Sequence, residues 1–222
     1  MSSRWAMSLL VLAISAQSPS LVVRAEPPPA SAQPASKDTG WEQIDDDEGI
    51  KVWKHEVPGN DLPGFRGQVV VDAAPRAIID VIEDWKRHTE WMHRCAESTE
   101  LKDLGVGTKV MYNRTNPPWP VWDRDVILET KLDISEDKNT ITLSFRNIKS
   151  DLRPVPDKVI RMPRLLGYYR LVRLGEKQTK VTYQVEADPG GSLPRWLAVR
   201  VARDLPFETL SRLRARVRKA GK

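Results

Sequence analysis

A single cysteine, Cys95, stands in 222 residues. That excludes an internal disulfide framework and any zinc or redox site built on a CxxC pair. No apolar run reaches the roughly 18 residues that would cross a bilayer as a helix. There is no Gly-x-Ser-x-Gly, no His-Glu-x-x-His and no phosphate loop ending in Gly-Lys-Ser/Thr. Phe is scarce at three, whereas Trp reaches eight. Trp brings a wide apolar body and one N–H that wants a partner, which hints at a core or cavity walled by flat side chains. Hydrophobic residues at 40% and charged residues at 29% are ordinary for a globular chain.

The N-terminus reads as an export signal. Arg4 and the amino terminus make a positive start, and Ala6 to Ile14 is apolar apart from Ser8. Small residues then offer cleavage after Ala16 or after Ala25. Residues 1–25 are therefore expected to be a signal peptide, and the protein to be exported, periplasmic or secreted. An uncleaved amphipathic N-terminus is the other reading. No cysteine follows the apolar run, so no lipid anchor is expected. Residues 26–40 read as a linker, because Glu26 to Lys37 is rich in Pro, Ala and Ser and cannot bury enough surface to order itself. One folded domain is expected over 41–222. Asp45-Asp46-Asp47-Glu48 reads as a solvated turn; it lacks the ligand spacing of a calcium loop.

Beyond Gly49 the pattern is short strands with a helix near each end. Strands are expected at Gly49 to Val57, Phe65 to Val71, Gly105 to Thr115, Asp123 to Ile134, Thr140 to Ile148, Lys158 to Met162, Tyr168 to Leu174 and Lys180 to Ala187. A helix is expected over Asp72 to Trp85, with Pro75 in its first turn and Ile78, Ile82 and Trp85 at helical spacing. Pro189-Gly190-Gly191 breaks the strand pattern. Ser192 then offers an N-cap for a long helix toward Arg218. Strands joined by short turns pair antiparallel, and a curved sheet needs a cover for its apolar face. The fold class is α+β, a curved antiparallel sheet wrapped round the C-terminal helix.

Asp123 to Ile134 alternates cleanly. Arg124, Val126, Leu128, Thr130, Leu132 and Ile134 share one face, and Asp123, Asp125, Ile127, Glu129, Lys131 and Asp133 the other. An always-charged guanidinium on the apolar face needs partners. Arg124 therefore pairs with an internal carboxylate, or lines a cavity and meets a polar ligand head or water, or escapes to solvent at the strand end. The outward parity of Asp123 and Asp125 argues for solvent rather than acid/base work. Just upstream, Asn116-Pro117-Pro118-Trp119-Pro120-Val121-Trp122 is a rigid connection. Its Trp119 and Trp122 wall a pocket mouth or cap the core, and periodicity alone favours core.

WPVWDRDVIL resembles the Trp-Pro and Arg-Asp region of StAR-related lipid-transfer (START) domains. Gly49 to Trp53 resembles their first strand, Pro75 to Trp91 their first long helix and the Trp after it, and Leu193 to Val217 their C-terminal helix with Pro206 inside it. The ordered set covers roughly Trp41 to Arg218. The resemblance implies a helix-grip fold with an interior hydrophobic cavity for one lipid or similar molecule, and neither metal nor cofactor. On that scaffold Arg124, Trp91, Tyr112 and Leu128 are candidate ligand-binding residues. So are Trp119, Trp122, Tyr183 and Trp196. Leu197, Val201 and Pro206 belong to a gating helix.

That helix can be read on its own. Residues 193–222 hold nine Arg or Lys against Asp204 and Glu208, so they carry +7 and everything before them sums to −2. Leu197, Val201, Leu205, Leu210, Leu213 and Val217 form an apolar stripe, and Pro206 interrupts the hydrogen-bond ladder. A basic, hinged lid suits transient contact with an anionic membrane surface, although such helices also occur away from membranes. His88, His93 and Cys95 lack the paired spacing of a zinc site. Nucleic acid is a poor partner for an exported chain, and a monomer is expected. The reading is a non-enzymatic carrier or sensor of a lipid; the alternative is a helix-grip enzyme of cyclase or hydrolase type, and a third is an interaction module with a filled core. No catalytic residue stands out, and no His lies on a clearly inward strand face. The export signal is checked by N-terminal sequencing of the periplasmic or secreted protein, which is expected to begin at Gln17 or Glu26; a cytoplasmic chain retaining Met1 to Ala16 removes it.

Overall fold

The computed structural model describes residues 40–119 and 121–221. The expected signal, and the expected linker up to residue 39, lie outside the described residues. Ten strands form one sheet: β1 (Trp41–Asp47), β2 (Ile50–His55), β3 (Gly64–Val71), β4 (Cys95–Gly105), β5 (Thr108–Thr115), β6 (Asp123–Ile134), β7 (Thr140–Asn147), β8 (Val159–Arg161), β9 (Arg164–Gly175) and β10 (Gln178–Asp188). Their order is β1-β2-β3-β10-β9-β7-β6-β5-β4, so the last strand closes the gap between two meanders. Every pairing is antiparallel except that of β8, which runs parallel to the start of β6. The helices are α1 (Pro75–Glu83), the short α2 (His88–Trp91) after a 3₁₀ turn at Trp85–Arg87, and α3 (Arg195–Ala220).

Three expectations are corrected. The acidic run Asp45 to Asp47 belongs to β1, and the turn is Glu48-Gly49 alone, with φ of 50° and 73°. Positive φ at both central residues is what a two-residue hairpin of this twist requires. Cys95–Gly105 is a strand that the alternation pattern does not announce. Ser192 does not cap α3; the cap position is Pro194, which supplies no side-chain hydrogen bond.

The main core lies between the concave face of the sheet, α1 and the C-terminal half of α3. Ile78, Ile79 and Ile82 of α1 and Leu210 and Leu213 of α3 are fully buried there, against Val69, Leu171 and Val181. Each such side chain contributes about 1.5–3 kcal/mol of transfer free energy. The two halves of α3 differ. Pro206, Thr209, Leu210, Leu213 and Val217 are buried, whereas ahead of Pro206 only Ala198 is. Polar ties follow the same division. Arg214 reaches the Glu48 carbonyl at 2.8 Å and its carboxylate at 3.2 Å, and Arg216 pairs with Glu90. The N-terminal half holds the rest of the fold through Arg195 Nε, which donates to the Asp61 carbonyl at 2.9 Å. Helical backbone continues through Pro206, but a proline has no N–H to give the carbonyl four residues back, here that of Ala202.

Gly67 explains why α3 can sit so close. A Cβ there would lie 2.7 Å from Leu210 Cδ1 and 2.9 Å from Pro206 Cβ. Gly67→Val is expected to push α3 off β3 and to cost about 1–3 kcal/mol by overpacking. The denaturant midpoint measures this, and an unshifted midpoint means the contact is not a tight one.

Candidate functional site

A cavity of about 200 Å³ lies between the sheet and the N-terminal half of α3. Strand alternation selects its walls. From β5 the odd residues Met111, Asn113 and Thr115 face it; from β6 the even residues Arg124, Leu128 and Thr130 do. Leu143 and Phe145 of β7 and the stacked rings of Tyr169 and Tyr183, 4.5 Å apart, continue the wall. Leu197, Ala198, Val201, Ala202 and Leu205 make the roof. The N-terminal half of α3 is thus thinly buried because it covers a void, not a packed layer.

Of the sequence candidates, the structure brings Arg124, Leu128, Tyr183, Leu197 and Val201 together on this cavity. It does not bring Trp91, Tyr112, Trp119, Trp122, Trp196 or Pro206 there. Trp91 is buried in the main core, with its ring edge-on to His88 at 5.3 Å. Tyr112 is fully buried on the opposite face of β5, in a second small core with Val110 and Ile127. Trp119, Trp122 and Trp196 are 92%, 57% and 66% exposed, so the two proline-flanked tryptophans do not cap the core. Pro206 packs on Gly67 at the hinge of the roof.

The charged face of β6 needs the same correction at its start. Asp125 has no exposure; it accepts from Arg161 Nε at 2.7 Å and Nη2 at 2.9 Å. Arg161 also donates to the Arg153 carbonyl, and Arg153 stacks on Tyr112 and pairs with Glu97. The segment after β7 therefore folds over the outer face of β5 and β6. The parity was right; the assumption that the second face meets water was not.

Arg124 is 4% exposed and lines the cavity. Nη1 donates to the Trp122 carbonyl and Nη2 to the Gly190 carbonyl at 3.4 Å. It takes part in no ion pair among the described residues, because Asp125, the buried carboxylate beside it in sequence, serves Arg161 from the other face. Burial pushes its pKa below the ordinary guanidinium range.

His88 and His93 also line the cavity, from α2 and the turn after it, where strand parity gives no signal. His88 stands between Trp85 and Trp91, with ring centroids 4.8 and 5.3 Å away. Its Nε2 lies 2.7 Å from the Ile82 carbonyl, which can only accept, so Nε2 carries the proton. Nδ1 is then an acceptor, 3.5 Å from the Ser98 hydroxyl. Desolvation lowers its pKa to about 4. His93 Nδ1 lies 3.4 Å from Glu208 of α3, and burial lowers its pKa as well. Cys95 meets the Glu97 carbonyl and Asn113. Among the described residues no three of His, Cys, Asp and Glu converge as a metal site.

A family model described as "START domain" matches residues 30–222. An uncharacterized protein of Pseudomonas aeruginosa is 36% identical over 181 residues, covering 81% of this chain and 87% of its own. A crystal structure of a STAR-related lipid transfer protein fragment from Xanthomonas axonopodis is 35% identical, with a TM-score of 0.74, over 81% of this chain and 99% of the fragment. The crystal structure of human STARD10, 21% identical, has a TM-score of 0.75 over 83% of this chain and 75% of its own; at that identity it speaks for the fold.

The buried imidazole gives the fold a pH dependence. His88 titrates near its ordinary 6.5 when unfolded and near about 4 when folded. Between those values the unfolded chain binds the extra proton. Stability therefore rises with pH across this window and is lost on acidification, by at most about 3 kcal/mol from this group. Denaturant midpoints between pH 7 and pH 4 are expected to fall steeply for the wild type and less steeply for His88→Gln. Equal slopes would assign the acid sensitivity elsewhere.

Proposed function

Since the chain belongs to the START domain family, we propose that it carries one hydrophobic molecule in this cavity, outside the cytoplasm, without chemically altering it. The observation that carries the reading is an apolar-walled cavity closed by the weakly held half of a helix. Burying the apolar part of a ligand contributes about 25 cal/mol per Å², and that gain replaces the core that the N-terminal half of α3 lacks. The carrier reading is favoured over catalysis by the state of the cavity's polar groups. His88 is neutral, holds its proton on the Ile82 carbonyl and has a pKa far below that of an efficient general base at neutral pH.

Exchange requires an opening, and the roof is the element with least to lose. Its N-terminal half ends where Pro206 deprives the Ala202 carbonyl of its usual donor, while Leu210, Leu213 and Val217 hold the other half in place. Three exposed tryptophans stand next in the chain to the cavity's lining segments. Trp119 and Trp122 flank Val121, and Trp196 precedes Leu197; Val121 and Leu197 are both lining residues. An amphipathic indole suits the boundary between water and lipid, and the basic face of α3 suits an anionic surface. Among the described residues no helix is long and apolar enough to cross a membrane.

Transfer of a fluorescent lipid between vesicles tests the reading. Pro206→Ala restores the missing donor and is expected to slow transfer several-fold. Trp119→Ser with Trp196→Ser is expected to slow it while leaving ligand affinity in solution unchanged. Anionic vesicles should accelerate the wild type at low salt only. A chain that binds no lipid and moves none removes the carrier reading.

A further inference from the structure

Arg124 brings to the cavity a charge that no ion pair offsets among the described residues; Asp123, the carboxylate that acts on it, is not within pairing distance. Arg124 offers five N–H donors, and two of them go to the Trp122 and Gly190 carbonyls. Nε is buried without a partner. The neighbouring carboxylates are committed elsewhere: Asp123 to Arg114 at 3.5 Å and to Asn116 at 3.1 Å, and Asp125 to Arg161. Among the described lining residues there is no Asp or Glu, and a second arginine, Arg94, stands on the rim.

The start of α3 lies at the same end. Gly191, four residues ahead of Arg195, comes so close that a Cβ on it would be 3.7 Å from Arg124 Nη2. Gly190 and Gly191 have φ of 63° and 70°, a conformation that lets the chain close against the guanidinium. The first turn of α3 has neither a side-chain cap nor an acidic residue; the Leu197 and Ala198 N–H groups go to the Pro194 carbonyl, which leaves those of Arg195 and Trp196, and the positive end of the dipole, uncompensated by side chains. Leu193 and Leu197, on either side of that start, line the cavity with Arg124.

We propose that this end of the cavity is an anion subsite, and that the ligand is a single-chain amphiphile with a carboxylate or phosphate head seated on Arg124 and the first turn of α3. The proposal rests on the carrier reading above and narrows it. A neutral hydroxyl head can accept from the guanidinium but leaves its charge uncompensated in an apolar site, which is costly. An anionic head supplies both acceptors and counter-charge, and a carboxylate or phosphate can take the guanidinium's fork of donors bidentately. The volume points to a small tail: about 200 Å³ with the roof closed falls below the roughly 300–1,000 Å³ of sites for drug-sized ligands, which favours one chain over two.

Displacement of the neutral fluorophore N-phenyl-1-naphthylamine from the full chain tests this. The competitors are decanoate, decanol, methyl decanoate, decanoyl lysophosphatidate and didecanoyl phosphatidate. Decanoate or lysophosphatidate is expected to displace the probe at about tenfold lower concentration than decanol or the ester, as hydrogen bonds to a charged group allow. Which of the two does so identifies a fatty acid or a phosphate lipid as the source of the head. Arg124→Met should abolish the difference without weakening decanol, and Arg124→Lys should retain part of it. Equal displacement by decanoate, lysophosphatidate and decanol overturns the anion subsite while the carrier reading stands. Equal displacement by the two-chain phosphatidate overturns the single-chain limit. A bound probe that no competitor displaces overturns the single-chain amphiphile, and a chain that binds neither probe nor competitor overturns the carrier reading itself. If Arg124→Met fails to fold, the wild-type ratio of acid to alcohol decides alone.

Discussion

The close approach of α3 to β3 at Gly67 sets the geometry on which the cavity depends. Because Gly67 has no side chain, Pro206 and Leu210 come to rest directly on the strand. From that point toward the C-terminus the helix is packed like any core element, with Leu213 and Val217 beneath it and Arg214 and Arg216 tied to Glu48 and Glu90. Toward the N-terminus the same helix is held at the height fixed by that contact, but the residues below it do not fill the space. A void that small is normally unfavourable, since its lining loses partner atoms. Here it persists because the seated half of α3 cannot follow the sheet down at both ends.

Much of this was legible in the residues. The inward faces of β3 and β6, the amphipathic stripe of α3 and the proline within it follow from spacing alone, and so does the unusual position of Arg124. What stayed hidden has physical causes. β1 and β4 are the two edge strands, and WEQIDDD and CAESTELKDLG carry charge where a central strand would alternate. Edges are built that way, so a search for apolar alternation passes over them. The outward reading of Asp125 gives a sheet one wet face, and the cavity reading of Tyr112 rests on the family scaffold rather than on its parity. The chain between β7 and β9 covers that face, and no local pattern announces a covering that comes from some thirty residues away. His88 and His93 reach the cavity from α2 and the turn after it, outside any periodicity.

Two neighbouring residues of β6 show how much one position matters. Arg124 and Asp125 carry opposite charges and adjacent backbone, yet they point to opposite faces and never meet. Asp125 finds a bidentate guanidinium and becomes structure. Arg124 finds only carbonyl dipoles. The difference lies in what each face is covered by: a chain segment that brings Arg161 on one side, and on the other a helix whose acids, Asp204 and Glu208, pair with Arg203, Arg212 and His93 rather than with Arg124.

The charged edges of the sheet have a consequence of their own. Among the described residues the sheet is open rather than a closed barrel, so β1 and β4 each pair with a strand on one side only. A carrier that opens part of its roof also uncovers apolar surface, and an uncovered face beside a free edge is the starting geometry for runaway assembly into fibres. The acids of β1 and the acidic excess of β4, Glu97, Glu100 and Asp103 against Lys102, set like net charges against any second copy that tries to extend the sheet. On the proposed opening, that repulsion keeps an uncovered face from recruiting a second copy along the free edge.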